Sequence, residues 1–243
     1  MRGIILAGGA ATRLRPCTKV TSKQLLPVYN RPMIYYPLNT LIKAGVKEIL
    51  IIVAPERAGD YLNLLGSGKE FGVKFTYEIQ DKPSGLPEAF VIGENFIDQE
   101  NVALILGDNI FEDDFSEDIK NFKSGGKVFA KKISDPERFG VVKFDARLKA
   151  EKIVEKPKEW ISDYAVTGLY LYDYRVVDVA KNLKPSARGE TEIVDLHNWY
   201  LAKGELDVAI VNGAWEDAGT FDSLLRAHNL AKEKLQDKFV NNL

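Results

Sequence analysis

Short apolar runs rich in β-branched residues recur along the chain at 3–6, 48–53, 74–78, 102–106, 127–132, 141–144, 165–172 and 208–211, and their length and composition predict strands. Between them apolar residues return at helical spacing, as at Leu38, Leu41 and Ile42, which predicts helices over 33–44, 57–65, 87–94, 174–183, 190–203 and 221–236. Gly45 and Gly204 stand where the first and fifth of these must stop. Strand alternating with helix gives the fold class: α/β, a Rossmann-like mixed and mostly parallel sheet flanked by helices. The middle breaks the alternation. From Lys127 to Asp173 the pattern is nearly all strand, which predicts an antiparallel excursion at one edge of the sheet, shaped as a lobe. No repeat, low-complexity tract or linker divides the chain, and the Ser124-Gly125-Gly126 turn is too short to separate domains, so 1–243 is expected to form a single domain.

Composition narrows the chemistry. With 45% hydrophobic and 28% charged residues and a net charge of -2, the chain offers no basic field for nucleic acid, and any anion must be bound locally. Cys17 is the only cysteine, which excludes an internal disulfide, a cysteine-built zinc site and any sign of an oxidising compartment; it reads as a small packed residue. The apolar run after Arg2 is broken by Gly8-Gly9 and Arg13, so it does not read as a signal peptide, and no stretch approaches the roughly 18 apolar residues of a membrane span. A cytoplasmic protein with no membrane or nucleic-acid partner is expected.

The first strand runs into Gly8-Gly9, where the absence of Cβ atoms lets backbone N–H groups approach a ligand. The dinucleotide fingerprint fails, because its three glycine places hold Gly8, Ala10 and Arg13, and the P-loop fails for want of Gly-Lys-Ser/Thr. The glycine pair leads instead into a run of cations: Arg13, Arg15 and Lys19, then Lys23 before Gln24-Leu25-Leu26-Pro27. Fixed cations stabilise the charge that builds on a polyphosphate being cleaved, so the turn reads as a triphosphate clamp, the alternative being a solvated basic loop.

Asp108 directly follows the fourth apolar run, at the carboxyl end where open α/β sheets bind ligands. Magnesium prefers one or two carboxylates plus phosphate oxygens, and the best second acid is Asp217 in Trp215-Glu216-Asp217-Ala218-Gly219, which could otherwise cap the last helix. Asp113 and Asp114 read as loop or capping acids. Gln80 carries an amide that both donates and accepts, which could pair with a ligand group that does the same. In 164–172 the alternation puts Tyr164, Val166, Gly168, Tyr170 and Tyr172 on one face, aromatic enough to receive a sugar ring, and Ala165, Thr167, Leu169 and Leu171 on a core face. Glu155-Lys156-Pro157 adds a carboxylate for hydroxyls and an ammonium for a phosphate. His197 and His228 have no acid–base context and read as packing or surface residues.

The segment Gly8-Gly9-Ala10-Ala11-Thr12-Arg13-Leu14-Arg15-Pro16, with Lys23-Gln24-Leu25-Leu26-Pro27, closely resembles the signature of the sugar-phosphate nucleotidylyltransferase family. Arg31-Pro32-Met33-Ile34-Tyr35-Tyr36-Pro37-Leu38, Leu106-Gly107-Asp108-Asn109-Ile110-Phe111, Asp135-Pro136-Glu137-Arg138-Phe139-Gly140-Val141 and Tyr164-Ala165-Val166-Thr167-Gly168-Leu169-Tyr170 are similar to the members that use dTTP and glucose-1-phosphate. The likeness runs from Met1 to about Leu230, with several motifs in the right order. It implies a nucleotide-diphospho-sugar transferase fold in which about 1–125 bind nucleotide, about 126–220 form the antiparallel sugar-binding excursion and about 221–236 a C-terminal helix.

That resemblance also implies a reaction, dTTP with glucose-1-phosphate giving dTDP-glucose and pyrophosphate, as in nucleotide-sugar biosynthesis for the dTDP-rhamnose pathway. It implies Mg2+ on Asp108 and Asp217, and a homo-oligomer, dimeric or tetrameric. Nucleotide contacts fall to Leu6, Gly8, Gly9, Ala11, Thr12, Arg13, Gln24, Gln80, Gly85 and Asp108, and sugar-phosphate contacts to Asn109, Gly140, Glu155, Lys156, Val166 and Tyr170, bordered by Arg188-Gly189-Glu190. Catalysis falls to Arg13 on the leaving pyrophosphate, Lys23 on the phosphates, Lys156 on the sugar phosphate, and Asp108. Two departures stand out. The family usually carries glycine where Ala11 stands, which costs about 1 kcal/mol if the position needs positive φ, and usually Ala-Gln where Pro87-Glu88 stands. Longer members carry a C-terminal extension that helps form a regulatory site for the end product. The rival readings are the same reaction with UTP or another sugar-1-phosphate, and a non-catalytic nucleotide-sugar sensor, against which the intact Arg13, Lys23, Asp108, Lys156 and Asp217 argue.

Overall fold

A computed structural model describes residues 1–9, 11–186 and 189–240, so that Ala10 and Arg188 lie outside the described residues. The strands are β1 (Arg2–Ala7), β2 (Pro27–Val28), β3 (Arg31–Pro32), β4 (Glu48–Val53), β5 (Lys74–Ile79), β6 (Val102–Leu106), β7 (Asn109–Phe111), β8 (Gly126–Lys132), β9 (Gly140–Phe144), β10 (Ala150–Glu155), β11 (Tyr164–Tyr172), β12 (Leu206–Ile210) and β13 (Trp215–Asp217). The α-helices are α1 (Tyr35–Lys43), α2 (Ala58–Leu65), α3 (Glu88–Ile92), α4 (Glu94–Ile97), α5 (Ser116–Asn121), α6 (Val176–Asn182), α7 (Ile193–Ala202) and α8 (Phe221–Leu230).

β1 pairs in parallel with β4 and with β6, and β5 extends β4 on the far side. The continuous apolar runs in these strands have a physical reason: both faces are covered. Ile4, Leu6, Leu50 and Ile52 belong to one buried cluster, and Ile5, Ala7, Ile49, Ile51 and Val53 to the cluster on the opposite face. A single sheet therefore has two cores, and its carboxyl edge, where β1 and β6 end side by side, is left for chemistry.

β11 turns the sheet antiparallel. It pairs with β6, with Tyr170 opposite Leu104, and beyond it lie β9 and β10 on one path and β8 with its parallel partner β12 on the other. Val128, Val166 and Tyr172 share one buried cluster with Ile4 and Leu50, so the excursion is continuous with the main sheet rather than a separate lobe. The aromatic face of β11 is also less open than its alternation implies. Tyr170 is 4% exposed, and Tyr172 is fully buried, its ring against Phe90, His197 and Tyr200 and its hydroxyl 2.6 Å from His197 Nδ1. Both faces of the strand are covered, and α7 supplies the second cover that the periodicity of β11 alone could not reveal.

Helix ends differ from the periodicity by a few residues. The last predicted helix, 221–236, is α-helical only to Leu230 and continues as a π turn over Ala231–Leu235. Its N-cap is Thr220, in a capping box with Ser223, so the cap role open to Asp217 is taken. Cys17, read as packed, is exposed in a 3-10 turn. β10, α5 and the short pairs β2–β3 and β7–β13 were not signalled by periodicity, being too short or too charged to show it. Among the described residues no helix is long and apolar enough to cross a membrane.

Candidate active site

β1 ends at Ala7, and beyond Gly8 and Gly9 Ala11 sits in the left-handed region at φ 46 and opens a 3-10 turn over Thr12–Leu14. Fully buried Leu14 anchors the turn below, and Thr18 Oγ1 donates to the Ala11 carbonyl at 2.8 Å. Arg13 is thereby held on the outside, with Thr12, Arg15 and Lys19 also exposed. Its guanidinium reaches across to the β13 side: a Cβ on Gly219 would lie 2.8 Å from Arg13 Nη2 and 2.8 Å from Asp217 Oδ1. Glycine at 219 is what lets the cation and the acid share this corner.

β6 ends beside β1, with Gly107 N–H donating to the Leu6 carbonyl at 3.0 Å, and delivers Asp108. The side chain of Lys23 donates to Asp108 Oδ2, and Asn109 Nδ2 to Oδ1 at 3.2 Å. Asn109 is itself bolted down: its Oδ1 accepts from Gly168 N–H at 2.9 Å and from Trp215 Nε1 at 2.7 Å. It is 1% exposed and its amide orients Asp108. Gly168 is needed here, since a Cβ would meet the Asn109 carboxamide at 2.6 Å.

The antiparallel pairing of β13 with β7 sets Asp217 opposite Asn109, and Ala218 N–H donates to the Asp108 carbonyl at 2.9 Å. The two acids that are 109 positions apart in sequence thus meet. Burial works against ionisation of Asp108, yet the charge and hydrogen bond of Lys23 and the Asn109 amide hold its carboxyl below the usual carboxylate range. Asp217 goes the other way: burial and then the Asp108 charge push it up to about 6, with Lys23 and Arg13 only partly offsetting them. Two desolvated carboxylates forced together are an oxygen-donor set that fits a hard divalent cation such as Mg2+.

On the β5 side, Gln80 follows the strand and is 5% exposed. Its Oε1 lies against Gly8, where a Cβ would come within 2.7 Å, and its Nε2 donates to Glu88 at 2.6 Å. Gly85 has φ +115 and forms a parallel bridge to Thr191, whose carbonyl a Cβ at 85 would strike at 2.0 Å. Thr191 N–H in turn donates to the Ser84 carbonyl at 2.8 Å, which ties this loop to the start of α7. Gln24 is buried beneath Gly107, its Oε1 accepting from Ser22 at 2.8 Å and from Tyr61 at 3.2 Å.

On the antiparallel side, β9 and β10 pair Gly140 with Glu155, and a Cβ on Gly140 would sit 3.3 Å from Glu155 Oε2 and 3.8 Å from Val166 Cβ. Burial, then the charges of Glu155, Asp217 and Asp108, raise the Tyr170 phenol well above its ordinary range. Lys156 is exposed in a left-handed backbone conformation at φ 43, its Nζ 3.3 Å from Glu155. Arg188 falls outside the described residues. The sequence reading missed Trp215, which holds Asn109 and packs against Phe139 at 5.1 Å, and the Ser22–Tyr61 pair that fixes Gln24. No local signal points to them, because each acts across the fold.

A strand-end site with Arg13, Lys23, Asp108 and Asp217 converging belongs to a phosphoryl-handling enzyme, and the chain is a member of the nucleotidyl transferase family, whose model matches residues 2–234. Within it, a glucose-1-phosphate thymidylyltransferase of Neisseria meningitidis serogroup A is 53% identical over 233 residues, 93% of this chain and 81% of the relative. One from Mycolicibacterium smegmatis is 50% identical over 237 residues, 96% and 82% of the two chains. A Bacillus anthracis crystal structure assigned to the same enzyme and solved with sucrose superposes with a TM-score of 0.90 at 51% identity, covering 96% of each chain. A UDP-glucose pyrophosphorylase complexed with UDP-glucose superposes with a TM-score of 0.85 at 23% identity over 96% of this chain and 98% of its own, a kinship of fold alone.

Proposed function

We propose that the protein joins dTTP to glucose-1-phosphate. A phosphate oxygen of the sugar phosphate attacks the α-phosphorus of dTTP in line, a new P–O bond forms, the bond from the α-phosphorus to the bridging oxygen breaks, and pyrophosphate leaves with that electron pair. The products are dTDP-glucose and pyrophosphate. The nucleophile is already anionic, so no strong general base is required, and rate comes from positioning and charge neutralisation. The meeting of Arg13, Lys23, Asp108 and Asp217 at the ends of β1, β6 and β13 carries this reading, together with about 50% identity to thymidylyltransferases.

The residues divide the work. Arg13 neutralises the departing pyrophosphate, and Lys23 bridges the phosphates and Asp108. Asp108 and Asp217 would hold Mg2+, which supplies charge neutralisation at the triphosphate when bound. Lys156 and Glu155 receive the sugar phosphate and its hydroxyls. Gln80 and the Gly85 loop read the pyrimidine. The test is pyrophosphate release with magnesium, crossing dTTP, UTP, CTP and ATP against glucose-1-phosphate, galactose-1-phosphate and glucosamine-1-phosphate. A maximum with dTTP and glucose-1-phosphate is expected; a UTP maximum would move the base assignment, and no turnover with any pair would overturn the enzyme reading.

A further inference from the structure

An amide side chain reads a base only if its two ends, nearly identical in shape, are told apart. The carbonyl end accepts and the NH2 end donates, and a 180° turn about the last bond exchanges them at almost no steric cost. In Gln80 this choice is made by the protein. Its Nε2 donates at 2.6 Å to Glu88 Oε2, and the same carboxylate oxygen accepts from Ser84 N–H at 3.3 Å. A carboxylate has no proton to donate, so Gln80 cannot turn its oxygen toward Glu88 without setting two acceptors against each other. Oε1 is left at the opposite end, against Gly8 of the glycine turn.

The geometry points to Glu88 as a positioning residue that sets base selectivity by locking the Gln80 amide with its acceptor toward the ligand. An acceptor fixed there takes the N3–H shared by thymine and uracil and opposes the bare N3 lone pair of cytosine. A free amide would turn over and meet cytosine as well. Glu88 itself needs no contact with the nucleotide, and the same carboxylate, by holding Ser84 N–H, ties the lock to the loop that carries Gly85. This assignment rests on the reading of Gln80 as the base contact.

The experiment compares wild type with Glu88→Gln, Glu88→Ala and Gln80→Ala by kcat and KM for dTTP and glucose-1-phosphate and by the inhibition constant of dCTP. Glutamine at 88 keeps the shape of the side chain but can either accept or donate, so it releases the lock without leaving a hole. In both Glu88 variants the ratio of dCTP inhibition constant to dTTP KM is expected to fall about 10-fold or more, while kcat and the KM for glucose-1-phosphate stay within about 3-fold. Gln80→Ala should lower the ratio at least as far, and adding Glu88→Ala to it should lower it no further. If Glu88→Gln keeps the wild-type ratio while Gln80→Ala loses it, Gln80 reads the base and the role given to Glu88 is overturned. If Gln80→Ala keeps the ratio, both fall.

Discussion

Two carboxylates in this molecule are buried to a similar degree and are used in opposite ways. Asp173, just after β11, is 3% exposed and fully matched: Gly125 N–H donates to it at 2.7 Å, Tyr200 Oη at 3.1 Å, and Arg175 through Nε and Nη2 at 3.0 and 2.6 Å. Asp108 is 8% exposed and also has its cation, Lys23, but a second acid is pressed against it, and among the described residues no ion pair reaches Asp217. One cluster closes a turn; the other sets two acids side by side, with Lys23 and Arg13 only partly offsetting the burial and repulsion at Asp217. A fold tolerates such crowding where a ligand completes it, and the chemistry of the two clusters, not their burial, tells them apart.

Neutralising the second acid should separate rate from stability most sharply. Asp217→Asn keeps the shape while removing the like charge beside Asp108. Turnover is expected to fall roughly 10²-fold or more, on the scale of a lost transition-state group, while the melting temperature stays level or rises. Turnover within about 3-fold of wild type would take Asp217 out of the mechanism. The mirror experiment is Asp173→Asn. There the amide leaves Arg175 without its bidentate partner, and stability should fall by about 2 kcal/mol, below the range for a fully buried pair because the Arg175 side chain is 35% exposed. Its kcat should barely change at a temperature where the variant is folded, and a loss of rate without a loss of stability would erase the contrast.

A third buried group sharpens the structural half. His197 of α7 is fully buried against Tyr170 and Tyr172 of β11, with Tyr172 on Nδ1 and no partner for Nε2 among the described residues. Burial drives its pKa down from 6.5 to about 3. Between those values the unfolded chain binds a proton that the folded chain refuses. Stability is therefore complete above about pH 6.5 and falls by about 1.4 kcal/mol per pH unit below it, until about pH 3. Denaturation of wild type and His197→Gln at pH 7, 6, 5 and 4 should show the wild type losing more; parallel curves would mean that the imidazole does not titrate alone.

The contrast also marks how far the sequence could be read. The parallel half was legible because its strands are buried on both faces and announce themselves as unbroken apolar runs, as in Ile49, Leu50, Ile51, Ile52 and Val53. Asp108 was legible for the same reason: it stands one turn past such a run. Asp217 was legible as a candidate partner of Asp108, but not the pairing that brings it there, because β7 and β13 are each 3 residues long and leave no periodic trace. The partners that hold Asn109 were not legible, since Trp215 and Gly168 lie far along the chain. The aromatic face of β11 looked open because the sequence of a strand cannot show which helix will lie over it.

Ala11 offers the finest test, because it links the strained side of the comparison to a single methyl group. The turn after Gly9 requires φ 46 at this position, a left-handed conformation in which Cβ crowds the following carbonyl. Thr18, Leu14 and the 3-10 turn hold the backbone there regardless, so the residue carries a local cost that the surrounding contacts offset. Glycine would remove that cost but widen the choices of the unfolded chain, and the two effects oppose each other. The sterics outweigh the entropy at a left-handed site, so Ala11→Gly should raise stability by about 0.5–1 kcal/mol. Arg13 keeps its anchor in either case, so kcat should move less than about 2-fold. A destabilised variant would show that the turn relaxes out of the left-handed region in solution, and with it the path by which Arg13 reaches Asp217.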